Sequence, residues 1–433
     1  MAVSLASQLT LPNGVSIPNR IAKAAMTEGL ARPDGCPTEA LGKLYRHWSD
    51  GGAGLLLSGN IMVDGDHLER PGNVIIADEA MDESLSALSD WAAQATANGN
   101  HFWAQLSHSG RQTMKLVNPE PKAPSAVKLG LPGGQFGTPV ALTIEEIGDI
   151  VTRFATAARI CKRAGFTGVQ IHAAHGYLIS SFLSPRSNVR TDDYGGSLAN
   201  RARILLDIVA AVRRVVGDSF PIAVKLNSAD FQRGGFAFED SLQVAAWLGD
   251  AGVDLIEISG GTYEQPKLLG VEGVEAEEPQ NVAPSTASRE AYFVDFAQAM
   301  QKSVSVPLMV TGGFRTRAAM EQALDSGAAD LIGLGRPMCV IPNAPKQLLE
   351  GTVDHLPSPE NELRLLPSWL SWLRSVQLIK TVDTFAVQYW FYGQLYALAE
   401  NGEMDRSLTP FEAFRMVENR NKQLMAARNR IKR

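Results

Sequence analysis

His172, His175 and Tyr177 stand within six residues of one another, at the end of the apolar run Gly168–His172. Two neutral imidazoles can each donate a ring N–H to a carbonyl oxygen, and a phenol, with an ordinary pKa near about 10, can deliver a proton as a general acid. If the strand ends at His172 and the chain turns over a cavity, all three groups face the same space. A His-x-x-His pair can also suggest a metal, but side chains three apart on a strand point to opposite faces and no third ligand stands nearby, so no metal is expected. The plainer alternative is a set of satisfied polar groups beneath a lid. A second concentration of chemistry lies in Val310-Thr311-Gly312-Gly313-Phe314-Arg315 and Gly333-Leu334-Gly335-Arg336-Pro337. Glycines there let backbone N–H groups approach an anion, and Arg336 adds a fork suited to phosphate oxygens. Tight turns alone are the competing reading.

The elements that must position these residues follow from hydrophobic patterning. Short apolar runs at Ile21–Ala25, Gly54–Ser58, Phe102–Leu106, Gly168–His172, Ile222–Asn227, Leu255–Ser259, Pro307–Val310 and Leu331–Leu334 read as eight strands. Helical patterns lie between them. In Glu145–Ala164, apolar residues recur every three or four positions behind a capping box of Thr143 and Glu146; Asn200–Val216 repeats the pattern. Strand–helix alternation with apolar strands predicts a parallel sheet buried on both faces, and eight units predict closure into an α/β (β/α)8 TIM barrel. An open doubly wound sheet would carry Gly-x-Gly-x-x-Gly after its first strand, and this chain has neither that motif nor a Gly-x-x-x-x-Gly-Lys loop. In a barrel, chemistry sits at the C-terminal ends of the strands, where both concentrations of residues fall.

We expect residues 1–350 to form the barrel and residues 351–433 a helical C-terminal extension packing on the barrel or a partner subunit, with a homo-oligomer as one outcome. The segment Trp369–Tyr396 is rich in aromatic residues, and Thr409-Pro410-Phe411-Glu412 caps a final helix. That helix is strongly basic, which its C-terminal dipole explains more simply than an anion-binding arm. Three connections are too long for plain turns: Ser107–Leu142, Ala173–Ser197 and Gly260–Ser288. The last carries Glu272, Glu275, Glu277 and Glu278 and reads as a solvated loop.

Composition narrows the setting. Of 433 residues 45% are hydrophobic and 20% charged, with a formal net charge of −6. That balance lacks the basic face a nucleic-acid partner requires. No run reaches the ~18 apolar residues of a membrane span, and no secretory leader is visible. Cys36, Cys161 and Cys339 are scattered and never form Cys-x-x-Cys, so a reducing cytoplasm is the expected location.

His172–Leu178, continuing through Ser184-Pro185-Arg186-Ser187-Asn188 and Asp192-Asp193-Tyr194-Gly195-Gly196-Ser197-Leu198 to Asn200-Arg201, resembles the Old Yellow Enzyme (NADH:flavin oxidoreductase) family of FMN-dependent ene-reductases. Pro18-Asn19-Arg20-Ile21, Met26-Thr27, Ala104-Gln105-Leu106-Ser107-His108 and Gly335-Arg336-Pro337 fall where that family has its other motifs. The resemblance covers about residues 5–350. It implies FMN at the barrel mouth, in a pocket including Ala25, Met26, Thr27 and Gly59. The phosphate would rest on Gly312, Gly313, Gly335 and Arg336, with Gln105 on the pyrimidine edge, Thr27 at O4 and Lys225 beside N1 and O2. Ala25 replaces a frequent Pro, Ser107 replaces an aromatic of some members, Lys225 stands where many have Arg, and His175 where some have Asn. The scattered cysteines set the chain apart from relatives with iron–sulfur domains.

The implied reaction is a ping-pong exchange in which NADH or NADPH and then an enone or similar activated alkene occupy one mouth. His172 and His175 would hold the carbonyl oxygen and Tyr177 would protonate the α-carbon. Two alternatives stay open: an amine dehydrogenase or NADH oxidase on the same barrel, and a flavin-free phosphate-ligand barrel such as an aldolase or isomerase. The latter would use Lys225 or Glu257 as its reactive group.

Overall fold

The apolar runs pair as eight parallel strands: β1 (Ile21–Lys23), β2 (Leu55–Met62), β3 (His101–Ser107), β4 (Gly168–Ala173), β5 (Ile222–Asn227), β6 (Leu255–Ser259), β7 (Leu308–Thr311) and β8 (Leu331–Leu334). β8 pairs with β1 and β1 with β2, so the sheet closes into the expected barrel. The structure, a computed structural model, describes residues 3–78, 82–131, 134–260, 294, 296–364 and 377–432. Most of the Gly260–Ser288 connection, including its four glutamates, lies outside the described residues, as do Trp369 and Trp372.

β2 runs four residues past the expected Gly54–Ser58 because the register shifts between Leu57 and Asn60. Ser58 bridges that irregularity: its hydroxyl oxygen accepts the Gln105 N–H at 2.8 Å, a bond that the strand ladder would otherwise supply. Outside the barrel lie α1 (Glu39–Asp50), α2 (Asp82–Ala95), α3 (Ile144–Arg163), α4 (Leu198–Val216), α5 (Phe238–Asp250), α6 (Arg317–Asp325) and α7 (Ala344–Glu350). Thr143 and Glu146 form the capping box of α3 as the sequence predicts.

Strand periodicity sorts the interior into layers. Toward the N-terminal end, Ala22, Leu55, Leu57, Trp103, Ala223, Leu255, Met309 and Leu331 form an apolar plug. The antiparallel pair Leu9–Thr10 and Ser16–Ile17 adds Leu9 and Ile17 to it. Two residues further along their strands, Gln105, Lys225 and Glu257 replace Trp103, Ala223 and Leu255, and Gln170 follows Gly168. The barrel is therefore apolar below and polar toward its C-terminal mouth.

The extension contributes α8 (Gln377–Asn401) and α9 (Pro410–Ile431), packed on each other, with α8 also on α1. Trp390, Phe391, Tyr392, Leu395 and Tyr396 join the same core cluster as the barrel. α9 has the Thr409–Glu412 capping box. Its basic residues do more than suit a helix dipole. Arg428 donates to the carbonyls of Pro33 and Gly65 at 2.9 Å each, and Arg420 donates to that of Gly29 at 3.2 Å. The extension thus docks on the loops that follow β1 and β2, at the barrel's functional rim.

Candidate active site

β4 carries His172 to the mouth, where Ala174 N–H donates to its Nδ1 at 3.2 Å. A neutral imidazole whose Nδ1 accepts must carry its proton on Nε2, so His172 is set as a donor from that atom. The chain then turns through His175 at φ 63°, a left-handed conformation rare outside glycine, followed by Gly176 at 79°. That turn folds the His175 ring back against its neighbour, with ring centroids 5.1 Å apart. The turn is held by His175 N–H donating to Asn227 Oδ1 at 3.0 Å and by Gln112 Nε2 donating to the His175 carbonyl at 2.9 Å. Tyr177, which begins the short helix Leu178–Leu183, stands edge-to-face on His172 at 4.8 Å.

The three expected residues therefore share one space. Burial, then His175 and Lys225, push the His172 pKa well below the ordinary imidazole range; burial and Lys225 do the same to His175. Both rings are neutral at pH 7. The structure adds a partner that sequence spacing does not reveal: Ser259 at the end of β6, whose Oγ lies 2.6 Å from His175 Nε2.

Beneath them lies the polar layer. Lys225 Nζ donates to Glu257 Oε1 at 2.8 Å, Gln170 Nε2 to Glu257 Oε2 at 2.7 Å, and Gln105 Nε2 to Gln170 Oε1 at 2.7 Å. Lys225 is thus a buried, paired cation.

Met26 and Thr27 follow β1. Asn60 Nδ2 donates to Thr27 Oγ1 at 3.2 Å, and the buried Glu69 carboxyl also bonds to Thr27. Gly59 N–H donates to Glu28 Oε1 at 2.9 Å, and a Cβ at Gly59 would run into the Glu28 carboxylate and the Met26 carbonyl. Tyr45 bonds the same carboxylate and accepts from Lys23 Nζ at 3.0 Å. Ala25 packs, partly buried, against the lower plug, and Met26 Sδ lies 3.4 Å from Cys339 Sγ.

At the corner formed by β7 and β8, Gly312 and Gly313 have φ of 120° and 81°. The space into which a Gly335 side chain would point is open. Arg336 Nη1 stands 3.2 Å from Glu360 Oε1, which also takes Arg315 Nη2 at 2.6 Å. Arg315 closes the run 310–315 that the sequence singles out, whereas nothing in the sequence points to Glu360. The two guanidinium groups thus converge on one carboxylate beside the glycines of this corner.

This mouth fits a flavin mononucleotide. Asn60 Oδ1, Ser107 Oγ, Ser228 Oγ and Thr311 Oγ1, in or just past β2, β3, β5 and β7, are buried without a hydrogen-bond partner in the protein. Such atoms call for a polar ligand. The Lys225 ammonium suits the ring's pyrimidine edge, and the glycines with Arg315 and Arg336 at the β7–β8 corner suit a phosphate.

Among the described residues, one set has metal-like geometry. His67 Nδ1 and His108 Nε2 lie 3.1 and 3.8 Å from Asp64 Oδ2. Their other nitrogens decide the chemistry. His67 Nε2 accepts Lys122 N–H at 2.9 Å and His108 Nδ1 accepts Gly110 N–H at 3.1 Å. A ring that accepts at one nitrogen carries its proton on the other, so each turns a proton, not a ligand atom, toward Asp64. Burial raises the Asp64 pKa, but the neighbouring His108 and His67 outweigh it and hold the carboxyl far below the ordinary range.

Comparison with known proteins agrees with this fold. The model of the NADH:flavin oxidoreductase / NADH oxidase family matches residues 8–355. An NADH-dependent flavin oxidoreductase, iccE, of Talaromyces variabilis is 36% identical over 92% of this chain and 99% of its own length. Another, iliE, of Neonectria sp. is 40% identical over 78% of this chain, which spans only 46% of that longer protein. Among solved structures, an old yellow enzyme homologue from Zymomonas mobilis superposes with a TM-score of 0.68 at 27% identity, covering 84% of this chain and 97% of its own.

Proposed function

This chain belongs to the NADH:flavin oxidoreductase / NADH oxidase family, the Old Yellow Enzyme group of FMN-binding barrels, and from that premise we propose that it uses NADH or NADPH to reduce the C=C bond of α,β-unsaturated carbonyl compounds. The observation that carries the reading is the His172 tautomer. Its Nε2–H is fixed by Ala174, and its ring is kept neutral beside the Tyr177 phenol. This set suits a carbonyl oxygen to be polarised and a carbon to be protonated.

FMN, when bound, supplies the two-electron exchange between nicotinamide and alkene. His172 donates from Nε2 to the carbonyl oxygen of the enone. His175 adds a second donor from Nδ1 when the Ser259 hydroxyl donates to its Nε2. Tyr177 holds the proton that goes to the α-carbon. Arg336 and Arg315 with the glycines of the β7–β8 corner would hold the phosphate, Gln105 and Lys225 would meet the pyrimidine edge, and Thr27 would meet O4. Nicotinamide and enone use the one mouth in turn.

The test is an anaerobic stopped-flow experiment following flavin absorbance at about 450 nm. The protein reduced by NADH should be reoxidised by 2-cyclohexenone faster than by buffer or by dissolved oxygen. Reoxidation by oxygen alone would assign it as an oxidase instead.

A further inference from the structure

The four polar side chains within the barrel form a chain with a direction. At one end Glu257 accepts from Lys225 with one oxygen and from Gln170 with the other, and Gln170 in turn accepts from Gln105. All four are buried, with Gln105 2%, Gln170 0%, Lys225 3% and Glu257 0% exposed. A carboxylate paired with an ammonium offers only acceptors, so it dictates which way each amide faces. Gln170 must turn its NH2 to Glu257, which leaves its carbonyl to face Gln105. Gln105 must spend an N–H on that carbonyl, and its own carbonyl oxygen is left for a donor on a ligand. The N3–H of an isoalloxazine ring is such a donor.

We propose that Glu257 and Gln170 are positioning residues for the flavin: Glu257, acting through Gln170, turns the Gln105 carbonyl oxygen toward the ring N3–H, and its other oxygen tempers the charge that Lys225 presents beside N1 and O2. This rests on the proposed placement of Gln105 and Lys225 against the pyrimidine edge. It gives Glu257 a role other than that of a base in an aldolase or isomerase. A Gln at 257 can donate as well as accept, so the direction of the chain is lost and Lys225 stands without its counter-charge. A Met at 170 cuts the chain but leaves the Lys225–Glu257 pair intact.

The experiment compares wild type, Glu257→Gln and Gln170→Met as full-length proteins. The FMN dissociation constant is read by fluorescence quenching, and the reduction potential by anaerobic equilibration with a redox dye. Both variants should raise the Kd about tenfold or more, the scale of one hydrogen bond to a buried group. Glu257→Gln should also raise the potential, because an unopposed Lys225 favours the anionic reduced ring, and Gln170→Met should move it less. A residue that only supports the fold would not produce that split. Unchanged Kd values, or a lower potential in Glu257→Gln, would overturn the proposal. If Glu257→Gln does not fold, an unchanged Kd in Gln170→Met overturns it alone. A wild-type protein that takes up no FMN would sink the flavin placement itself, and this proposal with it.

Discussion

Lys225 and Glu257, neighbours in register on β5 and β6, join ammonium to carboxylate at 2.8 Å inside the barrel, with no more than 3% of either side chain exposed. Removing one partner leaves the other charge buried and unpaired. Lys225→Met should lose about 3–5 kcal/mol of unfolding free energy, and the double variant Lys225→Met/Glu257→Leu should recover a large part of it. Urea unfolding of the two FMN-free proteins checks this; a double variant as unstable as the single would refute it.

Gly59 lies against the Glu28 carboxylate and the Met26 carbonyl with no room for a methyl group. Gly59→Ala should therefore displace the Met26–Thr27 segment at a cost of about 1–3 kcal/mol, the usual scale for overpacking. A lower unfolding midpoint together with weaker FMN retention through gel filtration is the expected result. Retention equal to wild type would separate this segment from the flavin pocket.

Arg428 ties α9 to the loops after β1 and β2 by donating to two carbonyls. Arg428→Met keeps much of the side-chain bulk and loses both bonds, each worth about 1.5–3 kcal/mol when the donor is charged. Hydrogen exchange in 410–431 and in 29–36 should accelerate together. Acceleration confined to α9 would show that the rim loops do not depend on the extension.

Acid should destabilise the protein well above the carboxylate range. His108 is held down to about 4 by burial and then by His67, against an ordinary value of 6.5; burial holds His172 and His175 well below that value too. The unfolded chain then binds more protons than the folded one below about pH 6.5, so stability falls as pH falls through that window. The His108 contribution levels off near pH 4, and each group adds up to about 1.4 kcal/mol per pH unit. Asp64, whose carboxyl is held down, loses its contribution only below its ordinary 3.8. Urea midpoints at pH 7.5, 6.0 and 5.0 test the sign, and a midpoint independent of pH would contradict it.

The barrel was legible because apolar runs buried on both faces leave a simple trace, and Leu255–Ser259 appears in the structure with the bounds its pattern gives. The far end of β2, residues 59–62, was not, because Ser58 and Gly59 break the run while a side-chain bond keeps the strand going. The polar layer left a signal in the sequence: Gln105, Gln170, Lys225 and Glu257 each interrupt an apolar strand at an inward position, but their mutual bonds depend on barrel closure. Arg315 and Glu360, 45 residues apart, meet only because the chain beyond the barrel returns to the β7–β8 corner. The contact between His175 and Ser259 likewise depends on a left-handed residue at 175 that spacing does not announce.

Tyr177→Phe tests the central claim most directly. The variant keeps the ring that packs on His172 and loses only the hydroxyl. NADH should reduce its flavin at the wild-type rate, while turnover of 2-cyclohexenone falls by about 10²-fold or more, the usual contribution of a positioned general acid. Enone turnover unchanged by the substitution would contradict the assignment of Tyr177 as the proton donor.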